Sequence, residues 1–129
     1  MKILFKNAPL LFSFFAVGII IFDQFSKLIV FHYFSDSVIL NTQGTFGILP
    51  AWVAFVALFL ILVFLLKTKK FLPIFGVIIG AGLSNILDRF FYCGVVDFIK
   101  FSFIPIFNLA DAVISLSVLL LILYELKKN

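Results

Sequence analysis

Residues 85–111 read NILDRFFYCGVVDFIKFSFIPIFNLAD. The stretch opens on an apolar helix, leaves it through a glycine and enters a second apolar helix after a proline. It holds Asp88, Asp97 and Asp111, three of the six acidic residues in the chain. It also holds the only arginine, Arg89, and two asparagines, Asn85 and Asn108. The chain is 64% hydrophobic, and a charged side chain at the centre of an apolar span costs about 2.5–3.5 kcal/mol, less near an end. So many polar groups gathered where two apolar helices end mark a site rather than a scaffold.

Working outward, the rest of the sequence sets the solvent. The chain has 129 residues, enough for one domain, with 20 phenylalanines and only 12% charged residues. Its mean hydropathy is +1.29. No water-soluble domain of this size hides that much apolar surface, so the solvent is lipid. The net charge of +4 does not point to nucleic acid. Lys2, Lys6, Lys67, Lys69, Lys70, Lys127 and Lys128 are seven of the ten basic residues, and all flank apolar runs. That is a topology signal, not a groove-binding patch. The single cysteine, Cys93, excludes an internal disulfide and a cysteine-based metal cluster, and is expected to pack as a small apolar residue near an interface.

Four apolar runs predict four transmembrane helices, at about 8–31, 48–66, 71–92 and 109–126, in a single membrane-embedded domain over 1–129. The start, MKILFKNAPLLFSFFAVGII, has the charge and apolar core of a secretory signal. The apolar run continues past Asp23 to Phe34, however, and the cleavage triplet Ala16-Val17-Gly18 is weak, so a first spanning helix is expected. Trp52 suits an interfacial anchor. Gly76, Gly80 and Ser84 fall four apart, a stripe of small residues that lets another helix approach. VVDFIKFSF alternates as a short strand, which Pro105 is expected to end. The positive-inside rule places the 67–70 loop and both termini in the cytoplasm, and both longer connections outside. The fold class is therefore an all-α integral membrane protein with short extended segments on the extracytoplasmic side.

The polar residues then sort by spacing. Asp23 and Lys27, four apart, share a helical face and suit an ion pair. Asn85, Asp88 and Arg89 share another face. Asp88 and Arg89 are adjacent, so their partners lie elsewhere, and Asp23 and Lys27 are available at similar depth. Asn108 and Asp111 have the spacing of an N-cap and its third helical residue. Asp97 sits between apolar neighbours with no helix end to satisfy it, so it needs a partner or a proton. Two carboxylates held close in a site screened from water keep one proton between them, which suits peptide hydrolysis of the aspartic type. His32, the only histidine, reads as an interfacial side chain beside Tyr33. No Ser-His-Asp set, HExxH motif or phosphate loop can be assembled. A small transporter or channel subunit and a non-catalytic lipid or signal-peptide binding protein are the rivals from other classes.

The motifs also resemble a family, bacterial lipoprotein signal peptidase (signal peptidase II), in matching order along almost the whole chain. FDQFSKLIV (22–30) is similar to its D-x-x-x-K motif, and NTQGTFGIL (41–49) to its N-x-G-x-x-F-[SG] segment. GLSNILDRFFYCGVVDFI (82–99) is similar to G-x-x-x-N-x-x-D-R…G-x-V-V-D-F, and FNLADAVIS (107–115) to F-N-x-A-D-[SA]. Two departures stand out. The glycine after Asn41 comes at Gly44 rather than two residues on, and the 97–111 segment is shorter than the family's. The resemblance implies an endopeptidase of the bacterial cytoplasmic membrane that cuts lipoprotein precursors on the amino side of the lipid-modified cysteine, at the outer face. It implies Asp97 and Asp111 as the catalytic pair, with Asn85, Asp88, Arg89, Asn108, Asp23, Lys27 and Asn41 lining or bracing the substrate site. Arg89, balanced by Asp23 and Asp88, is expected to hold the pocket walls, and the chain between Val30 and Trp52 to lie over the substrate. Diacylglyceryl-modified prolipoproteins and membrane lipids are the expected partners, globomycin the expected inhibitor and a monomer the expected state. No metal or organic cofactor is expected.

Overall fold

A computed structural model of the chain describes residues 8–43, 53, 56–57, 59–61, 63 and 72–128. Among the described residues, three long helices carry it: α1 over Ala8–Tyr33, α2 over Leu72–Tyr92 and α3 over Leu109–Lys128. Pro9 and Pro73 each fall in a first turn, where the missing N–H has no intrahelical partner to lose. At 1.5 Å per residue, the 26 residues of α1 span about 39 Å. Both α1 and α2 are long and apolar enough to cross a membrane, and the apolar part of α3, Leu109–Tyr124, is shorter. The expected span over 48–66 and the 67–70 loop lie largely outside the described residues. Those of the span that are described are helical.

Polarity is distributed in reverse of a water-soluble domain. Phe14, Phe22 and Phe25 are 69%, 64% and 61% exposed, whereas Asp23, Asp88, Asp97 and Asn108 are fully buried. An apolar exterior around a polar interior suits lipid as the solvent.

The helices meet along small residues. α1 packs on α2, and α2 on α3. A Cβ at Gly76 would run into the Phe12 backbone, and one at Gly80 into the Ala16 backbone and the Ile19 side chain. The expected stripe is thus the contact line with α1. Beside it Phe75, Ile78 and Ile79 form a small core, against which Phe12 of α1 and Leu121 of α3 pack.

Among the described residues, four short strands join the helix ends. β1 (Ile39–Asn41) follows a single 3-10 turn over Ser35–Ser37, and β2 is Val95–Asp97, β3 Ile99–Phe101 and β4 Ile104–Phe107. β1 and β2 pair antiparallel with Asn41 opposite Val95 and Ile39 opposite Asp97, and β3 pairs with β4 through an irregular register. The single strand expected over VVDFIKFSF is therefore two, interrupted at Phe98. Pro105 does not end it but lies inside β4, in a two-stranded ribbon whose free edge tolerates a residue without an N–H.

The exit from α2 also departs from expectation. Cys93, not the glycine, takes the left-handed conformation (φ 58°) and closes the helix by donating its N–H to the Arg89 carbonyl at 3.1 Å. Its side chain is exposed rather than packed. Gly94 serves close approach instead, because a Cβ there would come within 2.9 Å of the Leu40 side chain and 3.1 Å of the Asn41 carbonyl oxygen on β1.

Two substitutions test these contacts by thermal unfolding in detergent. Gly80→Val separates α1 from α2 and is expected to destabilise the protein by about 1–3 kcal/mol. Cys93→Gly relieves the left-handed residue and is expected to stabilise it by about 1 kcal/mol.

Candidate active site

The centre of the polar interior is the Lys27 ammonium of α1. It lies 2.6 Å from Asp23 Oδ2, one turn back on the same helix, and 2.7 Å from Asp88 Oδ2 on α2. It donates its remaining bond to Asn85 Oδ1 at 2.9 Å. All three of its N–H groups are thereby used.

Each of the two carboxylates reaches onward to a backbone N–H. Asp23 Oδ1 accepts from the Ala110 N–H in the first turn of α3 at 2.8 Å. Asp88 Oδ2 accepts from the Val96 N–H in β2 at 3.1 Å. Ala110 precedes Asp111 and Val96 precedes Asp97, so one carboxylate holds the segment bearing each predicted catalytic acid. Lys27 ties the two together.

Gln24 and Ser84 complete the frame, and neither was singled out for chemistry from the sequence. Gln24 Nε2 donates to Asp88 Oδ1 at 2.7 Å, to Ser84 Oγ at 2.9 Å and to the Ser84 carbonyl at 3.1 Å. Ser84 Oγ donates to Asp23 Oδ2 at 2.7 Å. The available signal was position: Gln24 follows Asp23, and Ser84 precedes Asn85 on the small-residue stripe.

Asp97 and Asp111 are joined through two asparagine amides. Asn108 Nδ2 donates to Asp97 Oδ1 at 2.8 Å and to Asn85 Oδ1 at 3.0 Å, and Asn85 Nδ2 donates to Asp111 Oδ1 at 3.0 Å. Strand pairing brings the first of these together, since the Phe98 N–H donates to the Phe107 carbonyl and sets Asp97 beside Asn108. Asn41 shares a face of the β1–β2 ribbon with Asp97 and donates to its Oδ2 from Nδ2 at 3.0 Å.

The sense of every amide is dictated by its neighbours. Lys27 occupies the oxygen of Asn85. The Asp111 N–H occupies that of Asn108 at 2.9 Å, and the Gln43 N–H that of Asn41 at 3.0 Å. These groups only donate, so all three NH2 groups must face the carboxylates. Asn108 is therefore both the expected N-cap of α3 and a ligand of Asp97.

Arg89 is placed differently from expectation. Lys27, not Arg89, neutralises Asp23 and Asp88. Arg89 donates from Nη1 to the Asn85 carbonyl at 3.1 Å and from Nη2 to the Gln43 carbonyl at 3.2 Å, tying α2 to the turn after β1. Arg89 stands one turn beyond Asn85, near the end of α2.

Burial pushes the Asp97 carboxyl from its ordinary 3.8 up to about 6. The hydrogen bond from Asn41 opposes this, the charge of Asp111 adds to it, and Asn108 and Lys27 oppose it more weakly. Beside Asn41 a cavity of about 270 Å³ lies between β1 and β4, walled by Ile39, Leu40, Pro105 and Ile106 with Thr42 and Gln43. Among the described residues no group of three or more His, Cys, Asp or Glu side chains could hold a metal ion.

The comparisons with known proteins agree with one another. The family described as Signal peptidase (SPase) II matches residues 15–127. The chain belongs to the signal peptidase II family. A lipoprotein signal peptidase of Burkholderia cenocepacia is 33% identical over 140 residues, covering 85% of this chain and 84% of that protein. Those of Syntrophomonas wolfei and Campylobacter jejuni subsp. doylei are 38% and 47% identical. Their matches cover 64% and 50% of this chain, and 62% and 42% of the relatives' own lengths. Two solved structures share the fold, both bacterial membrane enzymes determined by the in meso method, at 1.9 and 2.3 Å resolution. The first has a TM-score of 0.74 at 24% identity and covers 96% of this chain and 95% of its own. The second has 0.69 at 25% and covers 95% and 88%.

Two stability measurements check the frame. Lys27→Met strands Asp23 and Asp88 as buried charges and is expected to cost about 3–5 kcal/mol, part of which returns when both acids are changed to Asn in the same chain. For Asp97 the folded pKa lies above the unfolded one, so its contribution to stability is complete below about pH 4 and is lost as pH rises through about 6. The loss amounts to about 3 kcal/mol. Unfolding temperatures between pH 4 and pH 8 should show this decline in the parent and a smaller one in Asp97→Asn.

Proposed function

We propose that the chain is an intramembrane aspartic endopeptidase that removes signal peptides from lipoprotein precursors, cutting on the amino side of the lipid-modified cysteine. The observation that carries this is the continuous hydrogen-bonded path from Asp97 through Asn108 and Asn85 to Asp111. It couples an acid at the end of β2 to one in the first turn of α3, inside an apolar molecule. Held this way they share one proton. The ionised member draws a proton from water, and the protonated member hydrogen-bonds the carbonyl under attack. The cavity beside Asn41 offers apolar walls to an extended peptide, and Asn41 links that cavity to Asp97.

Under this proposal Asn85 and Asn108 orient the pair, and Asn41 secures Asp97 from β1. Asp23, Lys27 and Asp88 hold the segments that bear the acids, and Arg89 fixes the turn after β1. Four spans carry the site in the bacterial cytoplasmic membrane as a monomer, with both termini cytoplasmic and the strands at the extracytoplasmic face. Substrates are diacylglyceryl-modified prolipoproteins that enter from the lipid, and globomycin competes for the same site. The exposed apolar surfaces of α1 and α3 favour a substrate arriving within the bilayer over an ion pathway.

Precursor processing in a membrane extract tests the proposal. Asp97→Asn and Asp111→Asn each keep shape and remove ionisation, and each is expected to lower turnover by about 10²–10⁴-fold. Near-normal processing by either variant would refute the acid pair.

A further inference from the structure

The two acids do not stand in equivalent surroundings. Asp111 is the third residue of α3, where the positive end of the helix dipole favours a negative charge. Its side-chain donor, Asn85 Nδ2, belongs to an amide whose oxygen is held by the Lys27 ammonium at 2.9 Å. A cation on the oxygen draws electron density through the amide and strengthens its N–H as a donor. Asp97 has neither advantage. It ends a strand, its donors Asn41 and Asn108 are neutral, and it is fully buried while Asp111 is partly exposed.

Charge balance points the same way. Asp23 and Lys27 face Asp111 from α1, Asn85, Asp88 and Arg89 from α2, and Asp97 from β2. With every acid ionised, Asp23, Asp88, Asp97 and Asp111 would stand against only Lys27 and Arg89. One proton halves that excess, and it belongs on Asp97, which has no helix end and on which the charge of Lys27 is the weakest influence.

We infer that Lys27, acting through Asn85, keeps the negative charge on Asp111 and leaves the shared proton on Asp97. Lys27 is then a positioning residue, and the two acids have separate tasks. The catalytic consequence rests on the proposed peptidase activity. Asp111 takes a proton from water as the water oxygen bonds to the scissile carbonyl carbon. The carbonyl electron pair moves to oxygen, which takes the proton of Asp97. In the resulting diol, Asp111 passes its proton to the amide nitrogen as the C–N bond breaks and its electron pair stays on nitrogen. A diol hydroxyl returns a proton to Asp97, which restores the starting state.

The test uses the full chain in detergent micelles with aspartate carboxyl carbons labelled with carbon-13, followed by NMR as pH is varied. Signals are assigned by their loss in Asp97→Asn and Asp111→Asn. The pair titrates as a unit, so the readout is which signal moves more in each step. Asp111 is expected to dominate the step at lower pH, and Asp97 the step at higher pH. Asn85→Ala keeps Lys27 on Asp23 and Asp88 and breaks the relay. It should raise the Asp111 midpoint on the order of one pH unit and move the acid limb of the pH–kcat profile with it. The opposite order in the parent protein, or an unmoved Asp111 midpoint in folded Asn85→Ala, overturns the inference. Precursor cleavage on the same preparations separates the two claims. Cleavage with the opposite order sinks the proton placement alone. The expected order without cleavage supports the placement and sinks the peptidase activity.

Discussion

The structure hangs on one ammonium group. Lys27 is 3% exposed, deep in an apolar protein, and tolerable there only because two carboxylates and an amide oxygen take all its hydrogens. Each carboxylate is in turn tolerable because it accepts further hydrogen bonds, from Ser84 and the Ala110 backbone at Asp23, and from Gln24 and the Val96 backbone at Asp88. Leucine would fill the same volume at lower cost. What the charges provide is geometry, since the bonds to the Ala110 and Val96 backbone each end next to a residue of the acid pair.

Neutral amides carry that geometry the last few ångströms. Asn41, Asn85 and Asn108 each turn an oxygen to a donor-only group and an NH2 to a carboxylate. Amides suit this task because they brace an acid without adding a charge that would set its protonation outright. Where one of them touches the ammonium, the balance tips, and two acids of identical chemistry come to differ.

Much of this was legible in the sequence. The spacing of Asp23 and Lys27 gives their ion pair, the stripe of Gly76 and Gly80 gives the α1–α2 contact, and Asn108 followed by Asp111 gives a helix cap. Family motifs single out Asp97 and Asp111, and the polar residues can be ranked by how poorly a bland role explains them. What escaped was whatever depends on distance between segments. Position along α2 shows that Arg89 and Asp88 need partners, but not that Lys27 reaches Asp88 while Arg89 turns to the Gln43 carbonyl. Gln24 and Ser84 look like ordinary residues until the helices are brought together. Local rules also gave way at Cys93, because the αL turn fell one residue before the glycine that β1 required.

The double duty of Asn108 has a consequence for the order of events as the chain is made. One side chain both starts α3 and grips Asp97, so winding the final helix and completing the acid pair are a single step. A nascent chain whose last helix is still in the translocation machinery has Asp97 without its partner Asp111 and with only Asn41 of its two amide braces. On the proposed function, hydrolytic power would therefore arrive only with full insertion, and a half-built molecule could not attack its neighbours in the bilayer.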